Sequence, residues 1–354
     1  MALTLADAAK LSTDILLKGI LETIVKESPI LQELPFIEIQ GNSLLYNREL
    51  ELPSAAFYAP QTGTWAESAP RFKQISAALK VLGGDADVDN YLKTTRSNIQ
   101  DIEAAVIEMK AKAVRNKFED TFINGDIDVD ANAFDGLIKL LKGTAWVANT
   151  AYSLDAEVVP TIPNGFIYIC TTAGTSHATT EPTWPTTLDA TVTDNTVVWT
   201  CRQGNNYCCG ANGGTLALNY LDRLIDMVTG KPDIVLMSRR SRRKLASLVR
   251  AAGSNLEVGT GKLGERVELF GGIPIAVSDW INDNKTVGTS TDCSNIFALQ
   301  FGEGKLSGLG NQGVQVERIG SLETKDATRT RIKWYVGLAL FSTRAAAMLT
   351  GVRD

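Results

Sequence analysis

Histidine is nearly missing: His177 is the single one in 354 residues. A chain so poor in imidazole has little scope for His-based triads, His general bases or His-rich metal sites, because imidazole is the side chain whose ordinary titration falls near neutrality. Long apolar runs are missing too. The longest extend only a few residues, far short of the roughly 20 that a membrane helix needs. The opening MALTLADAAKLSTD lacks the basic and then apolar segments of a secretory signal. Cysteine is sparse, with five residues and no C-x-x-C pair, so a zinc site would have to use Cys or carboxylates. Excess positive charge is absent: 35 Lys plus Arg against 40 Asp plus Glu leave −5, which argues against a dedicated nucleic-acid binder. What is present, 44% hydrophobic and 21% charged residues, excludes wholesale disorder, and 354 residues suggest two or three domains.

Lysine is wholly absent from residues 143–213, and Arg202 is the only arginine there. Against five acids (Asp155, Glu157, Glu181, Asp189, Asp194) that leaves the stretch at −4, nearly the whole charge of the chain. Cys170, Cys201, Cys208 and Cys209 also lie here, with Trp146, Trp184 and Trp199. Short β-branched and aromatic runs, Phe166–Cys170 and Thr196–Cys201, alternate with Thr, Pro and turn residues, the pattern of small antiparallel strands. The segment reads as a compact β module inserted at one exposed loop of a host. Cys170 and Cys201 end predicted strands and are read as buried thiols, a disulfide or metal ligands, with thiols expected in a reducing cytosol.

The host reads as α+β. Residues 5–26 have a loosely amphipathic helical pattern, and Pro29 and Pro35 then impose extension. Tyr46–Leu52 and Phe72–Leu82 predict the two strands of a long hairpin whose irregular tip is SAAFYAPQTGTWAESAP. Such a ribbon has too little core to stand alone and is expected to lie on something else, a neighbouring subunit being a candidate. Thr94–Asn124 predicts a long helix with a stripe through Ile99, Ile102, Val106, Met109, Ala113, Phe118 and Phe122, closed by Gly125. After the module, Thr215–Val228 reads as a helix, Asp233–Met237 as a buried strand, and Ser238 as the N-cap of a helix to about Val249. Strands are expected at Ile273–Val277, Ile296–Leu299, Val314–Ile319 and Thr328–Phe341.

Motif tests are mostly negative. Gly259, Gly261 and Gly264 fit G-x-G-x-x-G, but no helix pattern opens there, so the reading is a glycine loop. The acidic triplets Asp85, Asp87, Asp89 and Asp126, Asp128, Asp130 lack the Gly and Glu that a calcium loop needs and read as solvated turn carboxylates. The basic run Arg239, Arg240, Arg242, Arg243, Lys244 sits at a helix start, where cations oppose the dipole. It is read as salt-bridged, with phosphate contact as the alternative. His177 is read as a surface residue. No catalytic group, cofactor or metal site is assigned.

The order of elements carries a resemblance. A helical arm, a long hairpin, a long helix and NGD…FDGLIKLL precede the module. PDIVLMSRRSRRKLASLV, LFGGIPIAVSDWI, NIFALQFGEGKLSGLG and FSTRAAAMLTG follow it. The series resembles the tailed-bacteriophage major capsid proteins of the Hong Kong 97-type shell fold. The resemblance implies an N-terminal arm at 1–43, an extended loop at 44–84, and a capsid core at 85–142 and 214–354 with spine helix, peripheral and axial domains. The β insert spans 143–213. It implies a structural protein of the virion that assembles in the host cytoplasm into pentamers and hexamers around double-stranded DNA, without sequence-specific contacts and without membrane association. The implied partners are a separate scaffolding protein, a portal and a decoration protein. A self-cross-linking Lys–Asn pair finds no match. Candidate contacts between subunits are Leu16, Ile20, Phe57, Tyr58, Trp65 and Arg71. The insert resembles small β modules of phage structural proteins and, more weakly, chitin-type carbohydrate-binding modules. Trp146, Tyr152, Trp184 and Trp199 are therefore read either as the core of a small domain or as a glycan-stacking face. Competing readings are an encapsulin-type nanocompartment shell and a glycan-binding protein.

Overall fold

The computed structural model describes residues 30–51, 53, 55–58, 63–65, 67–96, 102–253, 255–260 and 266–354. The expected helix at 5–26 lies outside them, as do Gly261 and Gly264. Two sheets carry the body. The larger has 12 strands, and its main run is Glu257–Thr260, Arg266–Phe270, Ile273–Val277, Ile234–Met237, Ser290–Leu299, Ala346–Arg353, Val197–Cys208 and Asn164–Thr172. Apolar side chains alternate to both faces of its centre. Ile234, Leu236, Phe297, Leu299, Ala346 and Met348 face one core, while Val235, Met237, Ile296, Ala298, Ala347 and Leu349 face another. Strands buried on both faces must be covered twice. Ile102–Asn124 and Leu137–Lys142 cover the first face through Phe118, Phe122, Leu137 and Leu141. Leu218–Asp226 and Arg239–Ala251 cover the second through Leu221, Leu224, Leu245 and Val249. Ser238 caps the latter helix as expected, its hydroxyl accepting from the Ser241 amide at 3.2 Å.

The smaller sheet has the order Phe36–Glu38, Leu306–Ser321, Ala327–Leu340, Lys80–Asp89. A side chain at Gly308 would displace the Phe36 ring, which lies 2.5 Å from where its Cβ would stand. This sheet corrects two expectations. The predicted return strand breaks at Leu79: Arg71–Ala78 pairs in the hairpin, whereas Lys80–Asp89 joins this sheet. Asp85 and Asp87 are therefore strand residues, not turn carboxylates. They stand opposite Arg331 and Arg329, which grip them with paired hydrogen bonds of 2.6–2.9 Å. Those guanidinium bonds hold both carboxyl groups below the usual range. The second triplet does form a turn, where Lys139 bridges Asp126 and Asp128.

The spine helix spans 23 residues, Ile102–Asn124, about 35 Å. A separate short helix, Asn90–Arg96, precedes it. Its buried stripe runs through Val114, Phe118 and Phe122, whereas Ala113 is exposed. Gly125 follows as predicted, but for close packing: a Cβ there would meet the Phe134 carbonyl oxygen at 2.3 Å.

Glu119 is the fully buried acid of this helix. One carboxylate oxygen accepts from the Trp280 indole at 3.2 Å, and the other has only the Arg115 guanidinium at 3.9 Å. Burial pushes its carboxyl up despite Arg115 and the indole. The native state then holds the proton to higher pH than the unfolded chain does, so stability is fullest below the ordinary glutamate value. It falls as pH rises through the native one. Glu119→Gln is expected to raise the unfolding temperature at pH 8 and to leave it nearly unchanged at pH 4, by differential scanning fluorimetry.

The β-rich stretch has its own core of Trp146, Val158, Tyr168, Cys170, Val197, Trp199 and Cys201. It is not a cassette joined at one exposed loop, however. Its longest strand, Val197–Cys208, runs on into the body, with Asn206–Cys208 pairing in parallel with Met348–Thr350. All five cysteines are buried free thiols. At the module's centre, buried Asp194 accepts from the indoles of Trp146 at 2.8 Å and Trp199 at 3.3 Å, and from the His177 amide at 2.8 Å. Asp194→Ala would strand all three donors and is expected to cost about 3 kcal/mol. Tryptophan emission during urea unfolding would report the loss.

Candidate functional site

The most exposed apolar feature is the ribbon formed by Ser43–Glu51 and Arg71–Ala78, antiparallel with Ser43 opposite Ala78 and Glu51 opposite Arg71. Alternation turns Leu44, Tyr46 and Ala77 onto a small core around Ile39, Leu309 and Ala339, while Leu45 and Phe72 face outward. The root is pinned by polar contacts. The Tyr46 hydroxyl donates to the Leu340 carbonyl at 2.9 Å, and Arg48 donates to the carbonyls of Phe341, at 3.2 Å, and Leu340. The Tyr46 ring lies 4.7 Å from that of Phe341, and burial raises its phenol above the ordinary tyrosine value. At the tip, Tyr58 and Trp65 stack with centroids 4.5 Å apart. Phe57 is wholly exposed and Trp65 is 81% exposed. Two large aromatic rings exposed in this way, Phe57 and Trp65, are costly in water unless another surface covers them.

Of the candidate contact residues, Phe57, Tyr58 and Trp65 thus cluster at the tip. Arg71 opens the return strand at the tip end of the ribbon, opposite Glu51, and ion-pairs with Asp155 of its own chain. Leu16 and Ile20 lie outside the described residues. In the module, Trp146 and Trp199 are buried, and Tyr152 and Trp184 are half-buried against Trp199, at 4.9 and 6.1 Å between ring centroids. All four belong to one packed cluster. His177 is exposed, and its Nδ1 accepts from the Thr180 amide at 3.0 Å. The basic helix start is largely salt-bridged: Arg239 to Asp279, Arg240 to Asp283 and Asp354, Arg242 to Glu268. The sequence reading missed Lys73, Asp155, Glu157 and Asp194. Only Asp194 leaves a local trace, a lone acid between Val192 and the apolar run Val197–Trp199.

A subunit with a doubly covered sheet, a long helix across it and a projecting aromatic ribbon has the architecture of a shell protein of the Hong Kong 97-type fold. The chain belongs to the Phage capsid family, whose sequence pattern matches residues 12–351. It is a major capsid protein, the subunit of which a phage shell is built. Solved structures agree in fold. The holo-SrpI encapsulin complex of Synechococcus elongatus PCC 7942 superposes with a TM-score of 0.58 at 14% identity, over 99% of this chain and 96% of that one. A structure from Microbacterium phage Oxtober96 gives 0.57 at 15% identity, with both chains fully covered. The capsid of Myoviridae phage XM1 gives 0.54 at 12%, over 92% of each chain. No curated protein matches the sequence.

Proposed function

We propose that this subunit assembles into pentamers and hexamers that close an icosahedral shell around double-stranded DNA, and that its role there is structural and not catalytic. The observation that carries the proposal is the ribbon's tip, where Phe57 is wholly exposed and Trp65 is largely exposed in the single chain. Identical subunits related by rotation can each cover the next one's tip, and such contacts close into rings. The near balance of charge suits a container that holds DNA without clamping it, and the ion pairs of Arg239, Arg240 and Arg242 leave much of the basic helix occupied. A scaffolding protein, a portal and a decoration protein complete the set of partners. Assembly takes place in the host cytoplasm.

The likeness to an encapsulin concerns the fold and does not favour an enzyme-filled compartment over a DNA-filled head. Negative-stain microscopy of the purified protein should show closed polyhedra, tubes or sheets, and particles from lysed hosts should yield nuclease-protected double-stranded DNA. A monodisperse monomer at high concentration would overturn the proposal. Mass spectrometry of shell subunits tests the separate scaffold: loss of a large N-terminal segment would count against it.

A further inference from the structure

We infer that the β-rich module is an ionic latch on its own chain's hairpin: Asp155 and Glu157 on the module's rim grip Arg71 and Lys73 on the hairpin's return strand and fix the angle at which the ribbon leaves the body. The spacing matches on both sides. Arg71 and Lys73 are two apart in a strand and so share a face, and the acids are two apart at the edge of the module's sheet. Glu157 pairs opposite Ile169. Asp155 sits in a left-handed turn at φ 68°, its amide bonded to the Cys170 carbonyl at 3.0 Å. The acids are thus held by the sheet, while the bases ride on the ribbon. Arg71 pairs with Asp155, and Lys73 meets Glu157 at 3.1 Å.

The module's other three acids are satisfied internally. Asp189 pairs with Arg202, Asp194 holds the two indoles, and Glu181 accepts from the Trp184 indole at 2.7 Å and the Thr161 amide at 2.9 Å. Among the described residues, the two outward-facing acids of the most acidic segment therefore both reach the hairpin.

A cleft of about 780 Å³ separates parts of the ribbon, module and body, its walls including Asn47 and Arg48 of the ribbon, Asp189 and Arg202 of the module, and Phe341 and Arg344 of the body. The ribbon is seated at its root by Leu44, Tyr46 and Ala77, and Phe72, between the two latch bases, is 63% exposed. The latch side chains are 27–47% exposed. Ion pairs of this kind are modest and weaken as salt screens them. The ribbon is therefore pinned at its root and released along its length by ionic strength or by charge on either partner.

Hydrogen–deuterium exchange of residues 43–51 and 71–78 in the full-length, unassembled subunit tests the latch. Raising salt from about 20 to about 500 mM should speed exchange there about fivefold. Arg71→Glu with Lys73→Glu should reproduce that gain at low salt and abolish the salt response, and Arg71→Gln with Lys73→Gln should do the same. Adding Asp155→Arg and Glu157→Lys to the Glu pair should restore protection. Either hairpin variant exchanging like the parent at low salt would overturn the inference. So would a four-residue swap that keeps native tryptophan emission without regaining protection. Because the measurement is made on single subunits, failure of shells to form would count against the proposed function and not against the latch.

Discussion

Phe57→Ser combined with Trp65→Ser is expected to yield a subunit that folds normally and does not build shells. Both rings are exposed in the single chain, so their removal takes nothing from its core and should shift the unfolding temperature by no more than about 1–2 °C. Against a neighbour the same rings would be central anchors. Truncating an aromatic anchor typically costs about 2–4 kcal/mol per contact, and every subunit of a ring makes that contact. The assembly threshold should therefore rise by well over 100-fold in concentration, read by light scattering and microscopy. Normal particles from this variant would show that the tip is not a subunit contact. A variant that is itself unfolded by circular dichroism would show that the tip packs on its own chain.

Phe118→Ala is expected to have the largest effect on the subunit itself. Phe118 is fully buried on the spine helix, and its ring lies 4.7 Å from that of Trp334, 5.8 Å from Phe134, 6.0 Å from Phe36 and 6.1 Å from Phe122. It joins the helix, the smaller sheet and the segment after the helix in one cluster, so the vacated space has no single neighbour able to fill it. Buried Phe→Ala changes cost about 3–5 kcal/mol, a large part of a total stability of roughly 5–15 kcal/mol. The expected outcome is mostly insoluble protein at 37 °C, with Phe118→Leu recovering soluble material. Equal solubility of Phe118→Ala and the parent would mean that the spine is held elsewhere.

Parts of this arrangement were legible in the sequence because they are local. Ile234–Met237, within the predicted Asp233–Met237, and Ile273–Val277 are short apolar runs, and both proved to be strands, the first buried throughout and the second mostly so. The Ser238 cap and the helix after it follow from side-chain chemistry within a few residues. The order of elements was enough to indicate the shell fold. Asp85 and Asp87 were misread because aspartate is rare in strands. What overrides that preference is a pair of arginines far along the chain, at 329 and 331. The spine's stripe was read rightly at Phe118 and Phe122 and wrongly at one position, since Ala113 and Val114 fit a helical period about equally well and only tertiary packing selects Val114. Composition sets residues 143–213 apart, but nothing local signals that Asn206–Cys208 pairs with Met348–Thr350. The latch was invisible for the same reason: two spaced bases and two spaced acids carry no instruction to meet.

The strand Ala346–Arg353 lies between Ser290–Leu299 and Val197–Cys208, in the middle of the larger sheet. A ribosome therefore releases the flanking strands long before the one that joins them. Until Arg353 has emerged, the growing polypeptide has an open slot along its centre, and any translation product interrupted before Ala346 keeps it. Such fragments lack the strand that joins the two halves of the larger sheet.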